Sequence, residues 1–293
     1  MTRIEPRAVS FHFALCLPPN FGYSLCMRST PPVILSIAGF DPSSGAGITA
    51  DIKTIAAHQC YGVTCITSLT VQSTLGVRRV QPVEVGVVAE TLAELVQDVQ
   101  LSAVKIGMLG TAAVVNCVAD FLARQHLRNI VLDPILKSSS GANLLDELGR
   151  KLLIEKLLPL CTVVTPNLDE ASALTGLQVT NVPEMKLAAR KLHEMGAKNV
   201  LVTGGHLDNP IDVLSLQENL QVVQREFACA TVISTSTHGT GCALSSSIAC
   251  HLALGKDLVE AVALAKAYVA AAIANAYPVG RGTGPLHHLF RED

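Results

Sequence analysis

The sequence predicts a doubly wound α/β fold, in which a mostly parallel β-sheet is flanked by helices. From Pro32 onward, short runs of β-branched and other apolar residues alternate with segments whose apolar residues recur at helical spacing. Hydrophobic residues make up 49% of the chain and charged residues only 16%, which is enough apolar material for a sizeable core. Because no repeat, linker or block of charge divides the chain, we expect a single domain over residues 31–293.

Six apolar runs are the predicted strands of the parallel sheet. They are almost continuously apolar, which is typical of strands covered by helices on both faces. The intervening segments, such as 88–99, and the later stretches at about 240–254 and 257–275 are predicted helices. Segment 212–227 differs, because two strand-like runs flank a Glu-Asn turn and predict a small antiparallel hairpin at one edge. The six runs are VILSIA (33–38), VTCITSL (63–69), VKIG (104–107), IVLD (130–133), TVVT (162–165) and VLVTGG (200–205).

The first 30 residues do not share this pattern. Their apolar stretch is interrupted by His12 and Pro18, and no small-residue cleavage site follows, so a secretory signal peptide is not indicated. We expect a disordered extension outside the folded core, with Met27 as an alternative start of the protein.

Composition excludes several classes of protein. The net charge is −2 with no basic run, and aromatic residues make up 4% with no Trp, so nucleic-acid binding is not expected. No apolar stretch approaches the roughly 20 residues that span a bilayer. The nine cysteines are odd in number and form no CxxC pair, which favours a reducing, cytoplasmic setting over a disulfide framework or zinc site.

Each of the six predicted strands is followed by a polar cluster. Ligands of open α/β sheets bind beyond the carboxyl ends of the strands, where these clusters would meet. The sequence therefore predicts one continuous site, which would take a small molecule. The clusters are AGFDPSSGAG, VQST, GMLG, DPILKSSSG, PNLDE and GGHLD.

The segment THGTGC precedes the helix predicted at 240–254. Backbone N–H groups of Gly239, Thr240, Gly241 and Cys242 at a helix N-terminus would bind an anion, such as a phosphoryl group in transfer. A helix N-terminus also lowers the pKa of a thiol, so Cys242 is a candidate general base. The alternative is structural, with glycines that allow close packing and a small buried cysteine.

The segment TPNLDE places Asn167 and Glu170 three residues apart, on one helical face. An amide and a carboxylate in this arrangement suit a hydrated Mg²⁺, and Asp133 would add a third oxygen. The alternative is a capping box, in which the two side chains only close the first helical turn.

Gln72 follows the second strand, where we expect a loop. Its amide offers a donor and an acceptor, which match a ring nitrogen beside an exocyclic amine, although a plain surface position is an equal alternative.

Together these motifs resemble the hydroxymethylpyrimidine kinase/phosphomethylpyrimidine kinase family of thiamine biosynthesis, within the ribokinase-like superfamily. The resemblance extends from about Val33 to Leu289. It implies ATP-dependent phosphorylation of the pyrimidine's hydroxymethyl group and then of the monophosphate, with Mg²⁺ and a homodimer. Pyridoxal or pyridoxine kinase activity is the main alternative, and a non-catalytic pyrimidine-binding protein is another.

The resemblance also implies roles for individual residues. Gln72 would read the aminopyrimidine edge, and the anion hole would lie at THGTGC, with Cys242 where related sugar kinases carry an aspartate base. Three residues differ from those that the family usually carries at the same positions, namely Phe40, Ser44 and Thr203. Many members carry lysine in place of Thr203. The remaining implied residues are Gly39, Asp51 and Met108 in the pyrimidine pocket, Asn167, Thr203 and Gly205 at the nucleotide, and Glu170 with Asp133 at the metal.

Overall fold

A nine-stranded sheet organises the part of the chain that the computed structural model describes, which is residues 30–290 except 139–140, 206, 208–209, 219–220, 229–231 and 233. The predicted extension lies outside these residues apart from Thr30, and the chain from Pro31 onward forms one compact unit. The strands are β1 (Val33–Phe40), β2 (Tyr61–Ser73), β3 (Gly76–Pro82), β4 (Leu101–Ile106), β5 (Ile130–Leu132), β6 (Val163–Val164), β7 (Asn199–Val202), β8 (Ile211–Glu218) and β9 (Gln221–Ala228).

The order of strands across the sheet is β3-β2-β1-β4-β5-β6-β7-β8-β9. The six strands from β2 to β7 in this order pair in parallel, as predicted. An antiparallel strand or hairpin closes each edge, because β3 pairs with β2 and the β8–β9 hairpin pairs with β7. The predicted hairpin at 212–227 is confirmed, whereas the β2–β3 hairpin was not expected.

Helices cover both faces of the sheet. Successive strand residues point to opposite faces, so Leu35 packs into one apolar cluster and Ile34 into the other. The helices are α1 (Gly47–Ala57), α2 (Val85–Asp98), α3 (Ala112–Arg124), α4 (Glu147–Leu152), α5 (Leu168–Thr175), α6 (Val182–Glu194), α7 (Thr240–Ala253) and α8 (Leu258–Ala274). Within the described ranges, no helix combines the length and apolar character that crossing a membrane requires.

The second strand is longer than its apolar run. It continues through the polar residues Thr70 and Gln72 to Ser73, and turns back into β3. Leu69 and Val71 alternate with these polar residues and are exposed. We predicted a loop here because the stretch lacks the continuous apolar pattern of the central strands. In an edge hairpin that is open to solvent, polar and apolar residues alternate instead. Gln72 therefore lies in a strand, which corrects its predicted loop position.

Candidate active site

A cavity of about 380 Å³ lies at the carboxyl ends of the central strands. It is where the polar clusters were predicted to converge, and its walls come from the segments after β1, β4, β5 and β6, from β2 and from the start of α7. Most of the predicted site residues line it, namely Gly39, Gln72, Met108, Asp133, Asn167, Glu170, Gly239, Gly241 and Cys242.

The start of α7 depends on Gly239. This residue is the N-cap and has φ 84°, the left-handed region that favours glycine, and a Cβ there would overlap the carbonyl oxygen of Gly45. A Cβ on Gly241 would instead lie 3.8 Å from Asp133 Oδ2. Gly239 is thus required by the backbone, whereas Gly241 keeps open the space in front of Asp133.

Thr240 does not line the cavity. Its hydroxyl donates to the carbonyl oxygen of Thr237 at 2.7 Å, and its backbone N–H reaches the same oxygen at 3.4 Å. The side chain therefore closes the turn before the helix, and a contact between the Thr240 backbone N–H and a phosphoryl group stays a prediction.

Cys242 lies in the first turn of α7 and is 5% exposed. Burial raises the pKa of its thiol to about 12; Lys105 opposes this shift, and the carboxylates of Asp133 and Asp51 add to it. The expectation of a lowered pKa is therefore wrong for this chain. Burial outweighs the helix N-terminus here, because the helix begins inside the protein and most of the thiol surface is removed from water.

Asp51 is not a residue of the pocket. It is fully buried and accepts hydrogen bonds from Lys105 Nζ at 2.9 and 3.0 Å, from Ser36 Oγ at 2.6 Å and from Ser246 Oγ at 2.9 Å. The predicted contact with substrate is corrected, because this carboxylate is the counter-ion of a buried lysine. Lys105 was not predicted as part of the site region, although a lone lysine within the apolar run AVKI requires such a partner.

Asn167 and Glu170 form the capping box that the sequence left open as an alternative. Glu170 Oε2 accepts from the Asn167 N–H at 3.0 Å, and Asn167 Oδ1 accepts from the Glu170 N–H at 2.9 Å. The same two residues line the cavity, so capping orients Glu170 towards the site. The two interpretations are compatible.

Two buried carboxylates face this cavity. Burial raises the pKa of Glu170 to about 8, and the Asp133 carboxylate raises it further in the same direction. Burial also raises the pKa of Asp133 to about 6, against the attraction of Lys105. Hard oxygen donors in a like-charged pair fit Mg²⁺, which takes one or two carboxylates and fills its other positions with water and phosphate. Larger clusters, of three or more His, Cys, Asp or Glu placed to hold a metal, do not occur among the described residues.

Thr203 and Gly205 do not line the cavity. The Thr203 N–H donates to the Pro166 carbonyl at 2.9 Å, and Thr203 pairs with Asn167 as an isolated β-bridge. Gly205 is exposed. Their contact with a nucleotide stays a prediction.

Two residues that the sequence analysis did not assign, Asp41 and His238, also line the cavity. His238 Nε2 lies 2.9 Å from Asp41 Oδ2 and 3.1 Å from the amide of Gln72. The available signal was their position, since both lie within the polar clusters GFD and THG. Sequence spacing could not show that these clusters touch.

Comparison with known proteins identifies the family. The sequence model of a family described as phosphomethylpyrimidine kinase matches residues 41–287. The chain belongs to this family. It is 40% identical over 257 residues to the hydroxymethylpyrimidine/phosphomethylpyrimidine kinase of Haemophilus influenzae, with 87% of this chain and 96% of that protein covered. The corresponding Salmonella typhimurium kinase is 41% identical, with the same coverage. A thiamine biosynthesis bifunctional protein of Geobacter sulfurreducens is also 41% identical, and the match spans about half of it, 52%.

Solved structures of kinases share the fold. An ADP complex of Bacillus subtilis pyridoxal kinase superposes with a TM-score of 0.81 at 32% identity, covering 90% of this chain and all of that one. The phosphomethylpyrimidine kinase of Clostridium difficile gives 0.73 at 35% identity, covering 83% and 99%. The predicted family and ribokinase-like α/β fold are confirmed. Members of this family are phosphotransferases, and ATP is their phosphate donor.

Proposed function

We propose that this chain uses ATP to phosphorylate 4-amino-5-hydroxymethyl-2-methylpyrimidine and then its monophosphate, giving the pyrimidine diphosphate for thiamine biosynthesis. One observation carries the proposal. The Gln72 amide, the N-terminus of α7 and the acidic pair Asp133 and Glu170 line a single cavity. A heteroaromatic ring, a transferring phosphoryl group and a divalent cation would each find its chemical complement there.

Different residues of the cavity would serve different parts of the reaction. Gln72 would bind the aminopyrimidine edge, and Met108, against which Gly39 packs closely, would supply an apolar wall. The backbone at Gly239, Gly241 and Cys242 would stabilise charge on the transferring phosphoryl group. The proton of the substrate hydroxyl would pass to a phosphate oxygen, or to Cys242 if its thiol first loses its own proton; the raised pKa of that thiol favours the phosphate oxygen. Cys242→Ala with near-full turnover would leave only the phosphate oxygen as acceptor.

Asp133 and Glu170 would hold Mg²⁺, with Asn167 orienting Glu170. When bound, the metal supplies positive charge to the phosphate oxygens. The protein's own contribution is to keep the two carboxylates buried in the cavity that the helix N-terminus also lines, where a phosphate and a metal could bind.

The proposal includes a cytoplasmic homodimer. The β2–β3 hairpin exposes Leu69, Val71 and Leu75 to 48%, 46% and 72%, an apolar surface that a two-fold partner would cover. The described cysteines are free thiols, which suits a reducing compartment. Sedimentation velocity would test the dimer, and a concentration-independent monomer would contradict it.

Pyridoxal kinase activity is the second candidate, because solved pyridoxal kinases superpose well on this chain. The deciding experiment is release of ADP from Mg·ATP, with the hydroxymethylpyrimidine, its monophosphate and pyridoxal compared side by side. We expect turnover on both pyrimidines and weak turnover of pyridoxal. A preference for pyridoxal would overturn the assigned substrate but not the assigned kinase activity. ATP binding without turnover would favour a non-catalytic protein.

A further inference from the structure

The Asp41 carboxylate is an anchor between β1 and α1. Its Oδ1 accepts from the N–H and the hydroxyl of Ser43 at 2.8 and 2.6 Å, and its Oδ2 accepts from the N–H groups of Gly45 and Ala46 at 3.2 and 2.9 Å. Burial raises the pKa of Asp41, but the hydrogen bonds from His238, Ser43 and Ala46 outweigh burial and leave it below its ordinary value. Asp41 is therefore an ionised carboxylate that can only accept hydrogen bonds.

An acceptor at this position decides which nitrogen of His238 carries the proton. Nε2 lies 2.9 Å from Asp41 Oδ2, a distance at which two acceptors would repel, so Nε2 bears the hydrogen and donates it. The ring cannot move away easily. A Cβ on Gly45 would overlap its Cδ2 atom, and the backbone N–H of His238 donates to Gly284 at 3.0 Å.

The Gln72 amide lies between two neighbours. In the structure its nitrogen lies 3.1 Å from His238 Nε2, and its oxygen accepts from Thr70 Oγ1 at 3.1 Å. The single hydroxyl hydrogen of Thr70 has a shorter bond available, to the Phe40 carbonyl at 2.9 Å. Rotation of the amide by 180° about χ3 exchanges its oxygen and nitrogen at nearly unchanged positions, and the hydrogens of both neighbours favour the rotated form. The His238 Nε2–H, donated to Asp41, can share its hydrogen with an amide oxygen but not with an amide N–H, and Thr70 Oγ1 can accept from the amide nitrogen. In this rotated form the oxygen faces the N–H of His238, and the nitrogen faces Thr70.

We infer that His238 is a positioning residue that, held by Asp41, fixes the orientation of the Gln72 amide and so selects an aminopyrimidine over a pyridine substrate. The inference rests on the proposed function. In the selected arrangement Gln72 keeps one N–H and one oxygen lone pair for a ligand. A ring nitrogen next to an amino group matches this pair, because the ring nitrogen accepts and the amine donates. Pyridoxal has no amino group to donate to the oxygen, so it gains less from the fixed orientation.

Two substitutions of His238 test the inference. His238→Phe keeps a ring but removes the N–H, and we expect kcat/KM for the aminopyrimidine to fall about tenfold, mainly through KM. The value for pyridoxal should change less than about threefold. His238→Gln places an amide N–H near the position of Nε2 and should restore most of the discrimination. His126→Gln, at an exposed histidine that does not line the cavity, is the matched control and should change neither value.

Equal losses of kcat/KM for both substrates in His238→Phe would show a merely structural role, and unchanged kcat/KM for both would show no role; either result overturns the inference. A second readout does not depend on the variants. Nitrogen-15 NMR of the wild-type protein should show His238 protonated at Nε2, and an unprotonated Nε2 also overturns it. If the wild type fails to phosphorylate the aminopyrimidine, the proposed function falls and selection by Gln72 with it, while the NMR result still reports on the Asp41–His238 contact.

Discussion

Two groups of buried charge lie close to Cys242 and differ in how they are neutralised. The closed cluster consists of Ser36, Asp51, Lys105 and Ser246, all fully buried, and there the lysine and both hydroxyls satisfy the carboxylate. The open pair consists of Asp133 and Glu170, two carboxylates on the cavity wall. Among the described residues, no ion pair joins either member to a cationic side chain.

The contrast separates structure from function. A buried charge costs several kcal/mol unless a partner compensates it. In the closed cluster the chain itself supplies that partner, so the cluster stabilises the fold and has no capacity left for a ligand. In the open pair the compensation is incomplete, and a cation from outside can complete it. Incomplete compensation beside a cavity is therefore the better indicator of a binding site than burial or charge alone.

The largest expected effect is on the closed cluster. Lys105→Met should lower the free energy of unfolding by about 3–5 kcal/mol, because it leaves the Asp51 carboxylate buried without its ion-pair partner. Urea denaturation at constant pH measures it. The matched control is Lys256→Met, which breaks an exposed pair with Glu260 and should cost no more than about 1 kcal/mol. Equal losses in the two variants would remove the distinction between buried and exposed pairs.

The two glycines at the start of α7 should respond differently. Gly239→Ala is expected to destabilise the protein by about 2–4 kcal/mol, because φ is positive and the Cβ would overlap the backbone of Gly45. Gly241→Ala should leave stability nearly unchanged but lower kcat/KM about 10–100-fold, since its methyl group would occupy the space before Asp133. Thermal unfolding and ADP release measure the pair, and a fully active Gly241→Ala would place the phosphoryl group elsewhere.

Glu170→Gln tests the open pair. The amide oxygen can still accept from the Asn167 N–H, so we expect the helix cap and the stability to be retained. Loss of one carboxylate should lower kcat/KM about 10–100-fold and raise the Mg²⁺ concentration needed for half-maximal rate. Titration of activity with Mg²⁺ checks this. Unchanged metal dependence would mean that Glu170 only caps the helix.

The smallest expected effect is the contribution of His288 to the pH dependence of the free energy of unfolding. His288 is a buried group that does not line the cavity. Burial, with Lys53, lowers its pKa to about 4, so it is neutral in the folded protein near pH 6. The unfolded state, with an ordinary pKa near 6.5, binds more protons between these values. Stability should therefore fall as the pH falls below about 6.5, by up to about 1.4 kcal/mol per pH unit.

Urea denaturation of the wild type and of His288→Gln between pH 7 and pH 5 isolates this contribution. The difference in unfolding free energy between the two proteins should change with pH in the stated direction. A constant difference would mean that His288 titrates alike in the folded and unfolded states.

The sequence by itself determined the six parallel strands, the edge of the sheet that carries the site, the confirmed hairpin formed by β8 and β9, and the family. These features follow from local patterns. Apolar runs form the strands, and the carboxyl ends of parallel strands lie at one edge, so the polar clusters that follow them must meet. The capping box of Asn167 and Glu170 was one of the predicted alternatives for the same reason, since its residues are three apart.

The tertiary structure alone decided which charges are compensated. Asp51 and Lys105 are 54 residues apart and Asp41 and His238 are 197 apart, so sequence spacing could not predict that either pair makes contact. The raised pKa of Cys242 is likewise a consequence of burial by surrounding elements, which a helix-terminus argument does not contain. Charge compensation in a protein interior depends on contacts between distant segments, and here those contacts separate the residues that stabilise the fold from the residues that face the cavity.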